Sequence, residues 1–178
     1  MVSNTLGSIG VVALLSKYIN LFVSDIFTNT VHVKNTHKRC ILCSKMKQID
    51  HIGIAVNNTE EGIQMFNAIL GVEPFHKEEI VSQKLIATFY KIGPTKIELL
   101  EPTSPDSSVG KFLASKGPGV HHVAFLVEDI IEEMERMKSE GFKPLTEKPY
   151  IGALGKLVCF FHPKTTGGTL IELCQKQE

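Results

Sequence analysis

The chain has 178 residues, 43% of them hydrophobic, and its 19 basic and 19 acidic side chains cancel at neutral pH. That balance excludes the basic field of a general nucleic-acid binder and the acidic excess of a disordered polyanion, and the length suffices for one domain with a normal core plus an extension. Four cysteines, Cys40, Cys43, Cys159 and Cys174, do not make the dense framework of a small secreted scaffold, so a reducing compartment is expected.

Residues 1–46 read differently from the rest. They hold one acidic residue, Asp25, against Lys17, Lys34, Lys38, Arg39 and Lys45, among serines and threonines. Basic, hydroxyl-bearing and acid-poor is the composition of a mitochondrial transit peptide; a secretory or anchor segment and a disordered tail are the alternatives. The apolar run at 9–15 is far shorter than the roughly 20 residues of a membrane span, and no membrane partner is expected. His32, His37, Cys40 and Cys43 include a Cys-x-x-Cys spacing but no second knuckle to complete a zinc site.

The domain is expected over 47–178, as two modules at about 48–101 and 120–175. In the first, a β-pattern at 49–56 leads to Asn58 or Thr59, either able to cap a helix with an acidic first turn. Ile63, Phe66, Ile69 and Leu70 give that helix its stripe and Gly71 stops it. Three further β-like runs follow, at 72–80, 84–92 and 96–100, making a βαβββ unit. A Pro-, Ser- and Gly-rich linker at 101–119 has room for a short helix around Val109, Phe112 and Leu113.

The second module repeats the first. Its strand at 120–127 meets an Asp129 cap with Glu132 three residues on, then a stripe of Ile130, Ile131, Met134 and Met137 that Gly141 ends. Runs at 143–148, 156–161 and 169–174 supply three more strands. His51 to Gly71 is 20 residues and His122 to Gly141 is 19; His51 to Glu98 is 47 and His122 to Glu172 is 50. Two such units, each unable to close its own apolar face, pair into an eight-stranded open barrel or cleft of the α+β class.

Strand alternation places His51 with Gly53 and Ala55, and His122 with Ala124 and Leu126. It sends His121 to the opposite side from His122, which makes His121 structural. In the last strand of each module one acidic residue stands in an apolar run: Glu98 between Ile97 and Leu99, and Glu172 between Ile171 and Leu173. If the bulky neighbours pack on helices, both carboxylates face the cleft with the two imidazoles. A lone strand histidine is usually a hydrogen-bonded structural residue and a lone strand glutamate usually solvated. The recurrence of both residue types at the same place in both copies favours a divalent metal site of mixed nitrogen and oxygen donors. His76 and His162 read as surface or turn residues. Lys156 and Lys164 can meet a ligand's phosphates, although an exposed lysine is ordinarily only solvated.

At these residues the chain resembles the methylmalonyl-CoA epimerases of the glyoxalase-like vicinal oxygen chelate superfamily. The resemblance runs through Asp50-His51-Ile52-Gly53-Ile54-Ala55-Val56, Lys96-Ile97-Glu98-Leu99-Leu100-Glu101-Pro102, Gly119-Val120-His121-His122-Val123-Ala124-Phe125 and His162-Pro163-Lys164 with Leu170-Ile171-Glu172-Leu173, and covers 46–175. It implies paired βαβββ modules, a homodimer in the mitochondrial matrix, and a divalent ion, Co2+ first, with Mn2+, Ni2+ or Zn2+ as alternatives. The implied substrate is an acyl-CoA, methylmalonyl-CoA, whose 2R and 2S forms interconvert through a metal-stabilised enolate. His51, Glu98, His122 and Glu172 fall on the metal-ligand positions. Bacterial members can have Gln where Glu98 stands, and a glutamate proposed for proton transfer in one of them aligns with Ala87. By analogy with glyoxalase I, Glu98 and Glu172 are then the candidate acid and base. A glyoxalase I-like lyase and a non-enzymatic binding module of the same fold are the alternatives; a binding module has no reason to keep a complete ligand set.

Overall fold

A computed structural model describes residues 45–177. The expectations for 1–44, the transit peptide and the Cys40/Cys43 spacing among them, lie outside these residues. Eight strands form one sheet in the order β2-β3-β4-β1-β5-β8-β7-β6: β1 is Met46–Ala55, β2 His76–Ile80, β3 Leu85–Ile92, β4 Thr95–Pro102, β5 Gly119–Val127, β6 Tyr150–Ile151, β7 Leu157–Phe161 and β8 Leu170–Gln175. Three helices accompany it, α1 Thr59–Leu70, α2 Ser108–Lys116 and α3 Ile130–Ser139. None of the described helices is long and apolar enough to cross a membrane.

The two halves of the sheet are built alike. β1 pairs parallel with β4, β5 parallel with β8, and the halves join through the antiparallel pair β1 and β5. Each half starts its first helix with the same device. Asn58 accepts from the Glu61 N–H and Asp129 from the Glu132 N–H, so each polar side chain satisfies a donor the helix leaves free, and the acidic first turns complement the helix dipole. Gly71 closes α1 in the left-handed conformation at φ 69°, which is cheap only for glycine.

Apolar strand residues sort by face. Ile97, Leu99, Tyr90, Ile54 and Val56 pack under α1 with Phe66 and Leu70, and Phe161, Leu173, Cys159 and Val127 pack under α3 with Ile130, Met134 and Met137. The opposite face lines the concave side, where α2 lays Val109, Phe112 and Leu113 on Leu85, Phe89 and Leu100. Thus Glu98 and Glu172 turn inward because their neighbours turn outward.

Three expectations need correction. The run at 143–148 is not a strand. Pro144 bridges to Phe161, with the Leu145 N–H donating to the Phe160 carbonyl and the His162 N–H to the Lys143 carbonyl. The chain then bends over 145–148, where the Thr146 hydroxyl donates to the Lys148 carbonyl, so regular pairing waits for the two-residue β6. β2 begins at His76 rather than at 72, after Pro74. Ile69 and Ile131, counted in the helical stripes, are 64% and 54% exposed, because each helix meets the sheet along one narrow line.

Candidate metal centre

The seam between the halves has three register irregularities, and two of them bear on the site. Ile49 pairs with Phe125 and His51 with Ala124, which leaves Asp50 as an extra residue in β1. Ile54 pairs with Val120 and Gly53 with His122, which leaves His121 as an extra residue in β5. A bulge of this kind re-aims the side chains beside it. Each half therefore carries a bulged polar residue one position before its histidine.

The four residues singled out from the sequence meet at this seam. His51 Nε2 lies 3.0 Å from His122 Nε2, 3.1 Å from a Glu98 carboxylate oxygen and 3.4 Å from one of Glu172. His122 Nε2 lies 3.1 Å from Glu172 and 3.5 Å from Glu98. All four are 5% exposed or less. Gly53 leaves room for the second imidazole: a Cβ built there would stand 2.2 Å from His122 Cε1. Phe89 sits across the ladder from Glu98 and Phe160 across from Glu172, so each carboxylate has an aromatic neighbour that excludes water.

Burial alone would push both carboxylates up, but hydrogen bonds from His122 and His51 outweigh it and hold Glu98 down at about 2 and Glu172 below its ordinary value. Burial would lower both imidazoles, and their contacts to carboxylates raise them instead: Asp50 first for His51, Glu172 first for His122. Two buried carboxylates on two imidazoles thus demand positive charge at one point. A divalent cation meets that demand. Bonds of about 2.1 Å place neighbouring donors roughly 3.0 Å apart around an octahedral ion and roughly 3.4 Å apart around a tetrahedral one, which is the spread of distances found here. His51, Glu98 and His122 also present donor atoms within 4.8 Å of one another. The residues fit a divalent ion held through both Nε2 atoms and both glutamates.

The bulged residues support the two histidines differently. Asp50 accepts from His51 Nδ1 at 2.9 Å and is held in turn by Lys156 Nζ at 2.6 Å and Lys96 Nζ at 3.0 Å. Burial opposes the carboxylate's charge, yet the three donors keep it far below the usual range. Lys156, read from the sequence as exposed, is buried and charged: desolvation works against it and Asp50 more than offsets that. On the other side His121 Nδ1 meets His122 Nδ1 at 2.9 Å, and the Phe112 ring stands edge-on to His121 at 5.0 Å. Burial first, and then the charge of His122, hold His121 down at about 4. His121 is thus not turned away from His122, as alternation implied; the bulge brings both to the cavity.

Sequence reasoning missed Asp50 and Lys96, the burial of Lys156 against Asp50, and the position of His121. The one available signal was the doubled polar pair, Asp50-His51 and His121-His122, in two otherwise apolar strands.

The cluster forms the floor of a cavity of about 360 Å³, within the range of small-molecule sites. Its walls mix Leu85, Phe89, Leu100, Val109, Leu154, Val158 and Phe160 with Lys156, Tyr150, Ser107 and Ser108, and the Lys84–Asp106 pair stands beside them. Ala87 is fully buried and contributes no carboxylate, while its cross-strand partner Glu78 accepts from the Leu154 N–H at 2.9 Å.

Two mirrored βαβββ halves with a joint site at their seam define a glyoxalase-like class of protein, and residues 50–160 match the family described as Glyoxalase/Bleomycin resistance protein/Dioxygenase superfamily. The mitochondrial methylmalonyl-CoA epimerase of Homo sapiens is 35% identical over 129 residues, 72% of this chain and 73% of that protein. The ethylmalonyl-CoA/methylmalonyl-CoA epimerase of Cereibacter sphaeroides is 37% identical over 131 residues, 72% of this chain and 97% of that one. A solved structure, a variant of Streptomyces coelicolor methylmalonyl-CoA epimerase in complex with 2-nitronate-propionyl-CoA, superposes with a TM-score of 0.71 at 36% identity over 74% of this chain and 95% of that one. The chain belongs to this superfamily and, within it, to the methylmalonyl-CoA epimerases.

Proposed function

We propose that the chain interconverts the 2R and 2S forms of methylmalonyl-CoA by moving the proton on the carbon between thioester and carboxylate. The observation that supports this most is the convergence of two imidazoles and two carboxylates on one point at the floor of a cavity. A divalent ion held there supplies Lewis acidity for the negative charge that develops on the substrate oxygens. The two-nitrogen, two-oxygen donor set suits Co2+, and also Mn2+, Ni2+ or Zn2+.

The chain's own residues do the rest. The apolar walls exclude water, which strengthens every charge interaction at the floor. Lys156 and Lys96, neutralised only in part by Asp50, leave a positive bias toward an anionic substrate. Epimerisation needs a proton removed from one face of the carbon and returned from the other, so two carriers are required. With alanine at 87 and Glu78 occupied by Leu154, Glu98 and Glu172 are the carboxylates on the cavity floor, one from each half, and we assign proton transfer to them. We further place the enzyme in the mitochondrial matrix as a homodimer; the acid-poor, basic composition of 1–46 supports the first.

The test is exchange of the α-proton of methylmalonyl-CoA in deuterated buffer, with metal content measured on the same sample. Solvent deuterium entering the substrate only in the metal-loaded protein is expected. Absence of exchange with a full complement of metal sinks the proposal. Glu98→Gln and Glu172→Gln then separate the two roles: retained metal with normal exchange clears that residue of proton transfer.

A further inference from the structure

The contact between His121 and His122 fixes more than their distance. A hydrogen bond between two ring nitrogens needs one proton, shared between the Nδ1 atoms 2.9 Å apart. His122 points its Nε2 into the donor cluster, 3.0 Å from His51 Nε2 and 3.1 Å from Glu172. A neutral imidazole that gives Nε2 to a cation keeps its proton on Nδ1. His122 Nδ1–H therefore donates, and His121 Nδ1 accepts. His121 is then left with its only proton on Nε2, at the other end of the ring. That atom has no hydrogen-bond partner among the described residues, and it is not among their sealed, unsatisfied polar atoms. His121 lines the cavity, and the edge of Phe112 fixes its ring plane.

We propose that His121 presents a neutral Nε2–H to the bound acyl thioester and donates to one of its oxygens, its tautomer being set by His122. The inference rests on the acyl-CoA reading given above. It assigns His121 a place that the mirror residue of the other half cannot take. Asp50 has no proton to give, and its carboxylate is already engaged by His51, Lys156 and Lys96.

The two nitrogens can be tested separately. Protein labelled with ¹⁵N-histidine and loaded with Zn2+, which is diamagnetic, is examined by long-range proton–nitrogen correlation, His121 being identified by its loss in His121→Asn. The expected result is a bare Nδ1 and a protonated Nε2 whose signal shifts when methylmalonyl-CoA is added. A proton on Nδ1, or no shift at saturating thioester, overturns the proposal. The amide oxygen of His121→Asn stands near the place of Nδ1, and the amide nitrogen of His121→Gln near that of Nε2. His121→Asn should hold Zn2+ within about threefold of the parent, because the acceptor for His122 is kept, yet lose about tenfold or more in thioester affinity with the donor gone. His121→Gln should reverse the pattern, with Zn2+ weakened about tenfold and more of the thioester affinity kept. Equal thioester affinity in the parent and in zinc-loaded His121→Asn also overturns it. Failure of the epimerase reading has a different signature: thioester binding and the Nε2–H shift persist while the parent exchanges no α-proton.

Discussion

The two halves of this molecule share a plan and differ in one detail, the residue behind each histidine. In the first half that residue is an anion, Asp50, clamped by the buried Lys156 and the partly buried Lys96; in the second it is an imidazole, His121, set against His122 and the ring of Phe112. The donors themselves are matched, one histidine and one glutamate from each side, and each glutamate faces a phenylalanine. A repeat has kept what binds and let diverge what orients. The first half gives its histidine a fixed, charged support, while the second leaves a proton facing the cavity.

Replacing a donor breaks the symmetry most severely. Glu98→Ala and Glu172→Ala should each release the metal and reduce α-proton exchange by about 10³-fold, equally for the two halves, as read by metal analysis and deuterium incorporation. Asp50→Ala comes next. It strands the buried Lys156 and the partly buried Lys96 without their carboxylate and is expected to cost about 3 kcal/mol in urea unfolding of the metal-free protein, with part of the loss recovered when Lys96→Met is added. Because its partners hold Asp50 below the ordinary carboxylate range, its stabilisation is complete above the unfolded value of about 3.9 and is withdrawn only as pH falls well below it. The unfolding profile of Asp50→Ala should therefore converge on the parent's only in strong acid.

A milder pair of changes sharpens the comparison at the seam. Gly53 faces His122 and Ala124 faces His51 in the ladder. Gly53→Ala must push the His122 ring aside and should weaken metal binding about tenfold while the fold is kept. Ala124→Gly should cost about 0.5–1 kcal/mol of strand stability and leave metal affinity nearly unchanged. The smallest effects belong to the caps: Asn58→Ala and Asp129→Ala should each lower stability by about 1 kcal/mol, alike in both halves, without touching exchange.

Much of this was legible in the residues. Caps, stripes and stop glycines marked both helices, and the single glutamate in each closing strand, repeated at matching distance from a histidine, marked the inward face. What could not be read was the register. Period-two alternation assumes one residue opposite one, and the bulges at Asp50 and His121 violate it at the two positions that support the site. Lys156 was hidden for another reason: the burial of a lysine depends on a partner in a distant strand, and Asp50 lies 106 residues away in sequence. The run at 143–148 misled because its composition is compatible with a strand, while after the single bridge at Pro144 the chain bends over 145–148 and leaves β7.

Among the described strands, only β1 and β5 join the halves of the sheet by backbone pairing, and His51 and His122 lie on those two strands. A cut in the loop at 103–107 would leave each fragment with one imidazole and one carboxylate, too few donors to retain an ion alone. Mixed together, such fragments should reassemble more tightly with the cation than without it, turning the enzyme's chelate into the glue of a two-piece protein.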